Sequence, residues 1–232
     1  MEKRADKIAS FRMMADHKID LELVTKEHSS RGEVEEFARD RYRRAYGAEM
    51  KTFARELLVL RSGTQGLLAC VGLNTGDSGK LYLEQYLDAP LEEKIGSIVG
   101  KKIDRSKVAE IGTLATGARG LSRLTMISLT GVIISRGIDY IAFTGIKSVR
   151  NTLEQLGMPL ESLATAAPEK LQGGADEWGS YYSAAPEVVF LDVKKGYKMV
   201  ERLGREMNNM PAALGEMMKG LINRSYELEM AA

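Results

Sequence analysis

The sequence predicts an α/β fold, an α+β mixed sheet with helices on both faces, followed by a helical C-terminal extension. Three observations carry that expectation. Two apolar runs, "ELLVLR" and "GLLACVGLN", flank "SGTQG" and read as an antiparallel hairpin. Further on, "KVAEIGTLA", a glycine turn, "LSRLTMISLTGVIISRG", "DYIAFTG" and "SVRNTLEQLG" alternate strand, helix, strand, helix, which implies parallel neighbours and a right-handed crossover. Beyond Pro211, Leu214, Met217, Met218, Leu221 and Ile222 recur at helical intervals.

The elements follow in order. "KIDLELV" alternates apolar Ile19, Leu21 and Leu23 with polar Asp20 and Glu22, the pattern of a half-buried strand. Ser30 and Glu33 stand in capping-box spacing at the head of a helix that Gly47 stops. After the hairpin, "KLYLEQYLD" reads as a strand and "PLEEKIGSIVG" as a short helix. The helix in "SVRNTLEQLG" ends at Gly157, with Pro159 beyond it. After Leu163 the chain becomes loop-rich until a last strand, "VVFLDV". Residues 18–195 form the expected domain and residues 196–232 the helical extension.

The chain of 232 residues carries 33 basic and 32 acidic side chains, a net charge of +1, which argues against a protein built to coat nucleic acid. Its single cysteine, Cys70, cannot form an internal bridge and reads as a small buried thiol. The N-terminus lacks the apolar core of a signal peptide, and no apolar run is long enough to span a bilayer, so a cytoplasmic protein is expected. His17 and His28 lack metal-site spacing and look like surface residues, so no metal is expected. Any catalysis falls to carboxylates, tyrosines, arginines or backbone amides.

The glycine turn "TGARG" lacks both the dinucleotide and the Walker fingerprints. What it offers is Gly117 and Gly120 before a helix start, with Arg119, Ser122 and Arg123 beside them. Unpaired N–H groups, a partial positive charge and close approach at glycine suit a phosphate there. A plain tight turn with solvated arginines is the alternative.

The order of elements, with Asn151 in a helix ending "QLGM", resembles the N-acetyltransferase (GNAT) superfamily. There the turn after the fourth strand binds the pyrophosphate of an acyl-thioester donor. The usual anchors are arginine or glutamine, then glycine, then glycine or alanine. Here they are Gly117, Gly120 and Ser122, which suits a donor with one phosphate, such as carrier-protein phosphopantetheine. At a finer level "VEEFARDRYRRAYGAEM", "LEQYLDAPLE", "AEIGTLA", "VRNTLEQLGM" and "WGSYYSAAPEVV", in that order, resemble the thermostable hemolysin family of bacterial proteins. The block order is also similar to acyl-homoserine-lactone synthases, which take acyl groups from acyl carrier protein.

Those resemblances imply an acyltransferase moving an acyl group from an acyl-CoA or acyl-carrier-protein thioester to a small amine. Acidic residues in apolar strands are the base candidates: Glu110 first, then Glu84, with Asp88 beside it. Pairing with arginine is the alternative role for each. Tyr181 and Tyr182, next to Trp178, either protonate a leaving thiolate, line an acyl pocket or pack a loop. Asn151 either holds the pantetheine arm or caps its helix. A second function class is a lytic or membrane-surface protein acting through the amphipathic tail. Against it stand the near-neutral charge and the glutamates within the stripe. A methionine stripe more often packs against core or a second subunit, so a homodimer is among the assemblies expected.

Overall fold

The computed structural model describes residues 6–12, 18–117, 121–155 and 158–197. Strands β1 (Asp6–Arg12), β2 (Lys18–Val24), β3 (Glu56–Ser62), β4 (Gly66–Thr75), β5 (Val108–Thr116), β6 (Tyr140–Gly145), β7 (Glu161–Thr165) and β8 (Glu187–Asp192) form one eight-stranded sheet, ordered β1-β2-β3-β4-β5-β6-β8-β7. Every pairing is antiparallel except β5 with β6. The helices are α1 (Arg31–Tyr46), α2 (Leu91–Val99), α3 (Leu121–Ser135) and α4 (Lys147–Gln155). The predicted mixed sheet, the hairpin and the parallel unit are all present.

The two-residue alternation of each strand sorts its side chains between two layers. Leu58, Leu60, Val71, Ala109, Ile111 and Ile141 pack against α3 with Leu124, Leu129 and Ile133. On the opposite face, Leu57, Val59, Cys70 and Ala115 meet Val34 and Ala38 of α1. Val108, Tyr140, Ala142, Val188 and Phe190 share that second face with Leu83, Tyr86, Leu91 and Ile95. Glu110, between Ala109 and Ile111, therefore points where the α1 and α2 clusters abut.

Three expectations need correction. "KLYLEQYLD" is not a strand: residues 82–86 form a 3-10 turn. Its N–H groups have carboxylate partners in place of a neighbouring strand, since Leu81 donates to Glu84 (2.9 Å) and Tyr82 and Leu83 donate to Glu110 (2.8 and 2.9 Å). The capping box at Ser30 is also absent. The Ser30 hydroxyl bonds His28 Nδ1 (2.8 Å), while Glu33 accepts both ends of the Arg61 fork (3.0 Å each). The start of α1 is instead tied down by Arg31, whose buried guanidinium donates to the carbonyls of Val24, Ala54 and Arg55. Third, the loop-rich stretch expected after Leu163 begins two residues later, because β7 runs on to Thr165. Gly47 does end α1, in the left-handed conformation (φ 68°) with its N–H on the Arg43 carbonyl.

Candidate functional site

The site is made by a parting of two parallel strands. β5 and β6 pair from Val108↔Tyr140 to Ile111↔Phe143 and no further. Past that point β5 continues with β4 as far as Thr116, and β6 continues with β8 as far as Gly145. A bulge marks the fork: the β4–β5 register shifts between Cys70 and Gly72, and Thr113 takes φ 50°. A β-branched residue in the left-handed region costs of order 1–3 kcal/mol and persists only where its surroundings impose it. Gly72 admits the bulge, since a Cβ there would lie 2.7 Å from Ala54 Cβ and 3.2 Å from the Gly112 carbonyl oxygen. Immediately after it, the Leu114 N–H is received by the Tyr42 hydroxyl of α1.

A cavity of about 100 Å³ opens at this fork. Its wall is aromatic, from Tyr42, Tyr82, Tyr86, Trp178, Tyr181 and Tyr182, and Glu110, Gly112, Thr113 and Thr144 form its floor. Trp178 organises the wall, with ring centroids 5.6 Å from Tyr181, 6.2 Å from Tyr82 and 6.3 Å from both Tyr42 and Tyr182. The hydroxyls are anchored as well: Tyr181 donates to the Thr144 carbonyl (3.0 Å), and Tyr86 and Tyr182 bond each other. Burial pushes the Tyr182 phenol up to about 12 and raises Tyr181 and Tyr86 further, so all three stay protonated at neutral pH.

Glu110 is 6% exposed. Burial raises its pKa, against the lowering effect of the Tyr82 N–H, the Asn74 amide (3.2 Å) and the Leu83 N–H. Three donors on a group with about four lone-pair directions leave room for one more contact on the cavity side. The result is a carboxylate held in place by three donors and sheltered from water.

The other candidates fall in different places. Glu84 does not line the cavity. Burial would raise its pKa, but Arg105 (2.6 and 3.0 Å) and the N–H groups of Leu91 and Leu81 outweigh that and lower it. Its carboxylate is engaged in holding the turn and α2 together, the arginine-paired alternative raised from the sequence. Asp88 is exposed and pairs with Lys94 (2.9 Å). Gly117 extends the sheet, its N–H donating to the Leu68 carbonyl (2.8 Å), so that N–H is not free for a phosphate. Ser122 is exposed in the first turn of α3, and Asn151 is exposed in the middle of α4, where it caps nothing. Arg119, Gly120, the Arg123 side chain, Gly157 and the tail from Pro211 to Ile222 lie outside the described residues. Cys70 is buried, its thiol pushed up to about 12 by burial, which leaves it inert.

Sequence reading did not single out Tyr42, Asn74, Tyr82 or Tyr86. A signal was present in two tyrosine pairs at i, i+4 spacing, Tyr42 with Tyr46 and Tyr82 with Tyr86. Among the described residues no cluster of His, Cys, Asp and Glu could hold a metal ion, and no helix is long and apolar enough to cross a membrane.

Residues 24–197 match the family described as thermostable hemolysin, and the chain belongs to that family. A search of curated proteins gave no match. Among solved structures the chain is similar to FeeM, an N-acyl amino acid synthase from uncultured soil microbes. The TM-score is 0.57 at 13% identity, covering 83% of this chain and 99% of that one. It is similar also to TofI in an apo form (TM-score 0.53, 12% identity, 78% and 95% covered). A third is the AHL synthase LasI (TM-score 0.50, 10% identity, 75% and 90% covered). At these identities the likeness is one of fold, and that fold is the GNAT-like mixed sheet.

Proposed function

We propose that this member of the thermostable hemolysin family is an acyltransferase, moving an acyl group from a CoA or acyl-carrier-protein thioester to a small amine. The observation that carries the reading is the fork between β5 and β6, with a buried carboxylate and an aromatic cavity together at its base. A thioester arm entering the fork meets backbone that β6 has left unpaired, while the cavity beyond takes the acceptor. Names of similar folds, an N-acyl amino acid synthase and an AHL synthase, support acyl transfer as the reaction class.

In this reading the amine nitrogen attacks the thioester carbonyl carbon and its proton passes to Glu110, directly or through one water. The C–N bond forms, the C–S bond breaks, and the thiolate leaves with a proton from Tyr181, whose hydroxyl sits on Thr144 at the β6 side of the fork; the proton held by Glu110 then returns to the Tyr181 oxygen through solvent, which restores both groups. The products are an amide and a free thiol. Glu84 supports the same centre indirectly by fixing the turn whose N–H groups hold Glu110. A carrier protein would be the macromolecular partner if the donor arm arrives attached to one. The test is a panel of acyl-CoA and acyl-carrier thioesters offered to purified protein with and without amines. Amine-dependent thiol release supports the reading, and no release with any donor overturns it.

A further inference from the structure

The cavity at the fork combines rings and charge in a way that narrows what it can hold. Tyr182 stands at 86° to Trp178 and at 84° to Tyr181, so these rings turn a corner in place of stacking flat. Tyr42 meets the same indole at 76° and Tyr82 at 46°. The face of an aromatic ring carries the negative part of its quadrupole, and rings set around one space draw a cation into it.

Glu110 is the one charged side chain among the described residues of the lining. Two cations close to the wall are already engaged. Lys51, beside Met50 and Thr52, is on Glu177 (2.6 Å), and Arg150, whose charge acts on the Tyr181 hydroxyl, is on Glu187 (2.7 Å). Tyr82, Leu83 and Asn74 supply three donors to Glu110, so an ammonium group would complete both its hydrogen bonding and its charge. A ligand carboxylate would meet Glu110 with no countercharge in the described wall, and two desolvated anions in one site are costly. Size narrows the choice further. A cavity of about 150 Å³ holds benzene, about 25 Å³ per heavy atom, so one of about 100 Å³ takes about four heavy atoms.

We infer that the cavity selects its acceptor as a small ammonium cation that carries no carboxylate, an inference resting on the acyl-thioester reading. Simple alkylamines and amino alcohols fit this description, and amino acids do not. The captured cation yields one proton through Glu110 to water, R–NH₃⁺ becoming R–NH₂. The neutral nitrogen then attacks as above, with Glu110 again free to accept.

Trp178 is the only tryptophan of the chain, so its emission reports on this wall. The experiment titrates the full chain with propylammonium, 1-propanol and β-alanine, following that emission in the parent, Glu110→Gln and Tyr182→Leu, with thermal melts on the same samples. 1-Propanol replaces the ammonium of propylammonium by an uncharged hydroxyl, and β-alanine replaces its methyl by a carboxylate. The parent should bind propylammonium about tenfold to a hundredfold more tightly than either analogue, the worth of a charge-assisted contact joined to cation–π attraction. Glu110→Gln should erase most of the preference over 1-propanol, and Tyr182→Leu, which keeps the charge and removes a ring, should narrow it about twofold to fivefold. If Glu110→Gln does not fold, Tyr182→Leu decides. A parent that binds all three alike, binds none or prefers β-alanine overturns the inference, as does a preference undiminished in the folded variants. Thiol release from acyl donors separates this inference from the reading beneath it. Amide formed from β-alanine as efficiently as from propylamine overturns the inference and leaves acyl transfer standing. Ammonium-selective binding with no amide from any donor sinks acyl transfer and leaves the cavity an ammonium site.

Discussion

Glu110→Gln separates holding from catalysis at one residue. Glu110 Oε2 accepts from Tyr82 N–H (2.8 Å) and Asn74 (3.2 Å), and Oε1 accepts from Leu83 N–H (2.9 Å). A glutamine must turn its NH₂ toward one of these donors, and facing Leu83 disturbs fewest. One buried N–H is then left without an acceptor, at about 1–3 kcal/mol, partly offset by removal of a charge that burial disfavours. A net loss of about 1–2 kcal/mol lowers the melting temperature of a chain this size by roughly 2–8 °C. The variant should therefore fold, while turnover falls ~10²–10⁴-fold because the proton acceptor is gone. The pH profile adds a signature. Burial raises the Glu110 pKa above 4.5, so parent turnover should climb as pH rises through that raised value, and the variant should lack this limb. The stability sign is opposite. The native carboxyl holds its proton more tightly than the unfolded chain does, so the parent loses stability as pH rises from 4.5 through the raised value. Thermal melts and amine-dependent thiol release, both followed across pH, test the argument. A folded Glu110→Gln variant with parental turnover would refute it and reduce Glu110 to an anchor for residues 82 and 83.

Arg105→Met should destabilise by about 2–4 kcal/mol, since it strips Glu84 of its cation while that carboxylate stays sheltered; a chemical-denaturation shift under 0.5 kcal/mol would contradict this. Because Arg105 and the N–H bonds hold Glu84 below 4.5, its contribution is present above that pH and lost as pH falls through the lowered pKa; melts from pH 6 downward should show the fall in the parent and a smaller one in the variant. Thr113→Gly relieves the φ of 50° and should raise stability by about 1 kcal/mol, whereas Thr113→Val should not; equal melting temperatures would show that the bulge carries no strain. Tyr181→Phe removes the bond to Thr144, costing about 1 kcal/mol, and should slow thiol departure more than it weakens donor binding, as a kcat effect at nearly constant KM would show.

Interior strands and crossovers were legible because apolar periodicity is strongest where burial is greatest, as in β3, β4 and β5. The edge strands β1 and β7 were not, because "DKIASFR" and "ESLAT" are polar, and among the described residues each ends the sheet, so only one side of it is paired. "KLYLEQYLD" deceived for another reason. Its alternation is genuine, but two carboxylates, Glu84 within it and Glu110 far along the chain, take the N–H groups that a strand would offer its neighbour. Glu110 stood out as an acid in an apolar strand, and Tyr181 by its place in an aromatic cluster. Tyr42 and Tyr82 did not, because their significance depends on which segments the sheet brings together.

The most direct test of the acyltransferase account follows an isotope-labelled acyl thioester, offered as acyl-CoA and as acyl-carrier protein, with a panel of small amines and mass detection of product. The account predicts a labelled amide equal in amount to the thiol released, formed by the parent and reduced ~10²-fold or more in folded Glu110→Gln. Thiol released as labelled free acid with no amide, or no release from either donor, would contradict it.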